Sequence, residues 1–225
     1  DSSAHTNIFE VHICENAKVN HGLIAIGKGN TSLLSKIIVS QEINSDYSLN
    51  FFQEGWDFSR LEPEINQLNG QAKTTLRGLQ IGRDNQQLST FSKIRFNGPK
   101  GYLEQLQKTI VKEKAHSIFN GIVEVPKIAQ QTNAAQLSKN LLLSNKGQVD
   151  TKPELRIVAD DVKCTHGATI SQLQEDEIFY LQSRGLNSND ASQLILNGYS
   201  KDIICKIPLD ISRWSHLSNL LNIKD

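Results

Sequence analysis

The sequence predicts a mainly β body followed by a short α-helical tail. Three observations carry this. Over the first ~160 positions apolar residues alternate with polar ones in short runs, the period of a half-buried strand. Turn residues separate the runs. After Thr169 the apolar spacing switches to that of helices.

The first strand is marked by Phe9, Val11 and Ile13, which alternate with polar residues. Further strands are expected at 23–26, 33–39, 49–52, 74–81, 94–96, 122–125 and 141–143. Turn signals fall at Gly27-Lys28-Gly29-Asn30, Asn69-Gly70, Asn97-Gly98, Asn120-Gly121 and Asn145-Lys146-Gly147. Many short strands at near-regular spacing fit a sandwich, a barrel or a stacked β-solenoid. The chain shows no strict internal period to choose among them. Residues 99–114 stand apart: Tyr102, Leu103, Leu106, Ile110 and Val111 fall at helical spacing, and local pattern alone predicts an amphipathic helix.

The tail has its own signals. Residues 174–184 begin with Glu175, Asp176 and Glu177 and end with Arg184 before Gly185, which is how charges complement a helix dipole and how helices stop. Ser188 offers an N-cap to a second helix, with Ala191, Leu194, Ile195, Gly198 and Tyr199 as its apolar stripe and Pro208 as its stop. A third is expected at 210–221, with Trp214, Leu217 and Leu221 on one side. The expected organisation is a β core over 1–170 and a helical subdomain over 171–225. A compact apolar stripe of this kind most often docks on its own body.

Bulk properties narrow the function. The 225 residues contain 24 Lys plus Arg and 24 Asp plus Glu, so charge gives no argument for nucleic acid or for an anionic membrane surface. No run approaches the ~18 apolar residues of a membrane span. The chain starts at Asp1 and has no methionine, as expected of a processed or truncated start. Cys14, Cys164 and Cys205 are odd in number and far apart, with no C-x-x-C pair. Free thiols in a reducing compartment are expected. No G-x-x-x-x-G-K-[ST] stretch is present, so nucleotide chemistry would belong to a partner.

The densest chemistry lies in ADDVKCTHGAT, residues 159–169. Adjacent residues on a strand face opposite ways, so Asp160 and Asp161 cannot chelate together and read as turn residues. Cys164 and His166, two apart, face the same way. Thiolate and imidazole are the donors that iron–sulfur chemistry requires. Spacing alone favours the plainer alternative, a small buried thiol and a hydrogen-bonded histidine.

From Ala115 onward the words become specific. FNGIVEVPKIAQQTNAAQLSKNLLLS (119–144), KPELRIVADDVKCTHGAT (152–169) and FYLQSRG (179–185) closely resemble the SufB/SufD family of iron–sulfur cluster assembly scaffolds. ENAKVNHGLIAIG (15–27) and AKTTLRGLQIG (72–82) resemble earlier rungs of the same family. The Cys-x-His-Gly-Ala-Thr of 164–169 is like the SufD branch, where SufB tends to write Glu-His-Glu-Ala-Thr; NGYSKDI (197–203) is similar to SufB. Two departures stand out. Several histidines usual before the first strong motif are replaced by LSTFSKIRFNG (88–98), and the family's N-terminal helical region has no counterpart, as in a chain truncated there.

The resemblance implies a right-handed parallel β-helix with a C-terminal α-helical subdomain. It replaces the helix at 102–111 with a β rung. It implies a non-ATPase scaffold that pairs with SufB, or with itself, and binds the SufC ATPase through Phe179, Leu181, Arg184, Gly185, Leu194 and Tyr199. Cys164 and His166 become a site for iron or sulfur completed across a subunit interface, with no cofactor held stably and a transient cluster at most. The family match reverses the balance against the plainer reading of these two residues. The expected location is the cytoplasm, with the plastid stroma as the alternative. Two other classes remain: a β-helical polysaccharide lyase or hydrolase, disfavoured by 6% aromatics and no dense acidic cluster on the strands, and a passive structural solenoid.

Overall fold

The computed structural model describes residues 2–208; the helix expected at 210–221 lies outside the described residues. Twelve strands run along the chain: β1 Ser3–Ile13, β2 Lys18–Ile26, β3 Thr31–Gln41, β4 Asp46–Glu54, β5 Phe58–Gln67, β6 Lys73–Gly82, β7 Gln87–Phe96, β8 Tyr102–Val111, β9 His116–Val125, β10 Asn133–Leu142, β11 Gln148–Ile157 and β12 Lys163–Gln172. Two helices follow, α1 Glu175–Ser183 and α2 Ser188–Ile204. Odd strands form one six-stranded sheet and even strands another, each ladder parallel. The chain therefore winds through about six turns of a parallel β-helix, two strands per turn. This is the solenoid the resemblance implied.

The missing sequence period has a structural cause. Ser32 lies beside Phe58, a step of 26, whereas His116 lies beside Gln148, a step of 32. Corner lengths vary while strands stay in register. Corners recur on the same sides of the stack, with Asn16, Asn44, Gln71, Lys100 and Gln131 in the left-handed region on one of them. At Gly70 (φ +82°) a Cβ would lie 2.2 Å from the Pro99 carbonyl oxygen of the next turn, so only glycine fits. Of the turn signals, Asn120-Gly121 is a correction: both residues lie inside β9. Its physical reason is stacking, which holds a turn-prone pair extended between neighbouring rungs. The segment 102–111 is likewise strand β8, and its apolar residues divide between the two faces.

Inward positions alternate with outward ones along each strand. Ile37, Val39, Leu49, Leu61, Ile65, Leu76, Ile94, Phe96, Leu103 and Val123 fill the interior. Long polar side chains share it: Gln53, Gln67, Gln80, Gln105 and Gln136 are all buried and bond to one another or to Ser and Thr. A buried amide needs hydrogen-bond partners, and stacked turns supply most of them.

Helix α2 covers the outer face of the even-strand sheet. Ile203, Ile204 and Ile207 pack on Phe52, Leu79, Ile81 and Ile110. Burial of each such side chain stabilises by about 1.5–3 kcal/mol. The expected stripe is therefore rotated: Ala191, Asn197, Ser200, Ile203 and Ile204 are buried, while Leu194 is 52% exposed. The N-cap is Asn187, whose side chain accepts from the Asp190 amide at 2.9 Å, rather than Ser188. Among the described residues no helix is long and apolar enough to cross a membrane.

Candidate functional site

Strands β11 and β12 close the last turn and are edges, each paired on one side only. Nothing among the described residues caps the interior there. Ile157, Val158 and Ile170 are consequently 40, 66 and 50% exposed. On β12, Cys164 lies beside Ala134 and His166 beside Gln136. Ala134 and Gln136 are buried inward residues of β10. Parallel register puts neighbours on the same side, so Cys164 and His166 both face the interior column where it opens at the end. Thr165 lies beside exposed Ala135 and faces out.

The two donors differ in environment. Cys164 is half-buried against the interior cluster. Burial pushes its thiol pKa up, offset in part by a hydrogen bond with the Ala134 backbone. His166 is exposed. The chain thus presents a protonated, shielded thiol next to an accessible imidazole. A nearby cation from outside the chain is what would convert that thiol to thiolate. Among the described residues no three His, Cys, Asp or Glu side chains gather to hold a metal ion. Asp160 and Asp161 form the bend before β12; the Asp161 carbonyl accepts from the Gln131 amide at 2.6 Å and its N–H donates to Gln130 Oε1 at 3.0 Å.

The tail residues separate into two groups. Phe179 on α1 is 71% exposed and Leu194 on α2 52% exposed. Leu181 is half-buried, Arg184 is the C-cap of α1, and Gly185 follows at φ +94°. Tyr199 instead faces the solenoid. Its hydroxyl donates to the Lys139 carbonyl at 2.6 Å, and its ring lies 4.6 Å from Lys108 Nζ. Lys108 Nζ also donates to the Tyr199 carbonyl and to Asp202, both at 2.7 Å. With 5% of its side chain exposed, Lys108 is a buried charge satisfied from α2. Sequence reasoning did not single out Lys108 or Asp202, because a lysine and an aspartate 94 positions apart give no local signal.

The profile described as "SUF system FeS cluster assembly, SufBD core domain" matches residues 1–199, nearly the whole described fold. The chain belongs to the SufBD family. A SufBD family iron–sulfur cluster assembly protein of Synechocystis is 43% identical over 90% of this chain and 45% of its own length. The chloroplastic protein ABCI7 of Arabidopsis thaliana is 36% identical over 89% of this chain and 42% of its own. The iron–sulfur cluster assembly protein SufD of Escherichia coli is 40% identical over 61% of this chain and 33% of its own. The chain spans less than half the length of each of these SufBD relatives.

Proposed function

We propose that this chain is the core of a SufD-type scaffold in iron–sulfur cluster assembly, with Cys164 and His166 as its contribution to a site shared with a second subunit. The observation that carries the reading is the placement of both donors on the inner face of the last rung, which among the described residues is paired on one side only. Two ligands do not hold a cluster alone; the edges of β11 and β12 offer backbone groups to a second scaffold, which brings the others. The second scaffold is of SufB type, or another copy of the chain. Iron and sulfide are cargo, held in transit rather than as a resident cofactor.

A SufC-type ATPase supplies the energy and binds the tail at Phe179, Leu181, Arg184, Gly185 and Leu194. Tyr199, engaged within the chain, contributes by holding α2 in place. The chain is a scaffold and not itself an enzyme. It works in the cytoplasm or, as the chloroplastic relative suggests, in a plastid.

The test uses a cell that depends on this scaffold for its iron–sulfur enzymes. His166→Ala is expected to abolish their activity out of proportion to any loss of folded protein, because the imidazole is exposed and its removal opens no cavity in the core. Cys164→Ser is expected to lower activity as well. Normal enzyme activity with His166→Ala at wild-type protein levels removes the assignment.

A further inference from the structure

Behind His166 lies a buried amide chain that stops one partner short. Gln136 Nε2 donates to Gln105 Oε1 at 2.8 Å, and Gln105 Nε2 donates to Ser92 Oγ at 2.7 Å. The first link steps one turn back, from β10 to β8 and away from the open end; the second crosses the interior from β8 to β7 of the facing sheet. Gln136 is 2% exposed, yet its carbonyl oxygen Oε1 is buried with no hydrogen-bond partner. An orphaned buried acceptor costs about 1–3 kcal/mol, so its persistence calls for a partner. The room for this amide is made on the facing strand: a Cβ on Gly121 would lie 2.4 Å from Gln136 Nε2.

The chain of amides has a direction. With its NH2 engaged by Gln105 on the turn behind, the oxygen of Gln136 is the group left to bond with the turn ahead. The residue next in that column, on β12, is His166. We infer that Gln136 is a positioning residue: its carbonyl oxygen accepts from one ring N–H of His166, fixing the tautomer and leaving the other ring nitrogen as a lone-pair donor at the open end. A histidine that ligates a metal generally donates its remaining N–H to an oxygen acceptor, which orients the ring and raises its basicity. Here a buried side-chain amide, itself held by two further residues, takes that part.

The inference rests on His166 being the ligand proposed above, and the experiment separates the two. The full protein is labelled with 15N-histidine, and the resonances of His166 are assigned by comparison with His166→Gln. Long-range 1H–15N correlation at neutral pH then reads its tautomer. The expected result is one tautomer dominant by ~tenfold or more, the weight of an ordinary hydrogen bond. In Gln136→Leu, which keeps the volume and removes the acceptor, the preference is expected to collapse toward that of a free imidazole, and cellular cluster assembly to fall. Gln136→Glu, which keeps an acceptor oxygen, is expected to restore the single tautomer. A free-imidazole mixture in the wild-type protein, or protonation on the nitrogen away from Gln136, overturns the inference whether or not the variants fold. If His166→Ala abolishes assembly but Gln136→Leu leaves tautomer and assembly unchanged, the positioning role falls and the ligand role stands.

Discussion

A Cβ on Gly78 would lie 2.1 Å from Phe51 Cζ and 2.5 Å from Gln107 Oε1, both fully enclosed side chains. Gly78→Ala is therefore expected to cost about 1–3 kcal/mol by overpacking. Gly198, on the exposed side of α2 with nothing within 4 Å, is the contrast. Gly198→Ala is expected to stabilise by about 0.5–1 kcal/mol through helix propensity. Thermal melting checks both, at roughly 2–4 °C per kcal/mol for a chain of this size. At this scale the shared side of Cys164 and His166 was legible, because alternation on a strand fixes it. Gln136 was not. A glutamine in a strand pattern reads as surface, and only the stacking of turns shows that its amide is inside and bonded.

Two strands escaped the sequence reading, β5 and β11, and each carries a central proline, Pro63 and Pro153. Proline removes a ladder donor and argues against a central strand. At Pro63 the ladder with β7 is interrupted between Leu61 and Glu64 and then resumes, so the neighbouring turns keep the strand in place. The stripe of α2 was misplaced for a related reason: the face that docks includes Asn197 and Ser200, polar residues that no hydropathy pattern selects. Docking also uses the Lys108–Asp202 pair. Asp202→Ala leaves a buried ammonium with the Tyr199 carbonyl as its remaining oxygen partner among the described contacts, and is expected to destabilise the chain by about 1–3 kcal/mol. Hydrogen exchange should show the loss concentrated in α2; uniform loss across the solenoid would contradict the latch. On β11, Lys152 and Arg156 bond Glu154 at 3.1 and 2.6 Å on the outer face. Pairs this exposed contribute little to folding. Reversing both to glutamate is expected to leave melting within about 1 kcal/mol of wild type while weakening capture of the second scaffold by cross-linkers at 137–169. Unchanged capture would place the interface elsewhere.

The solenoid is a stack with ends, and the proposed site sits at one of them. About six turns bury their own backbone groups along the length, while the last turn leaves β11 and β12 as open edges around Cys164 and His166. Parallel stacking itself was not legible from composition, since alternation serves a sandwich, a barrel and a solenoid equally; the family motifs decided it. Helix α2 packs on the outer face of the even-strand sheet, whereas Cys164 and His166 stand on the inner side of β12. The most direct measurement is anaerobic affinity purification of the full-length protein from its native cell, wild type beside His166→Ala, with partners identified and bound iron and sulfide quantified. A second scaffold and an ABC-type ATPase are expected with both proteins, and iron and sulfide with the wild type alone. Equal iron and sulfide on the two would contradict the proposed site.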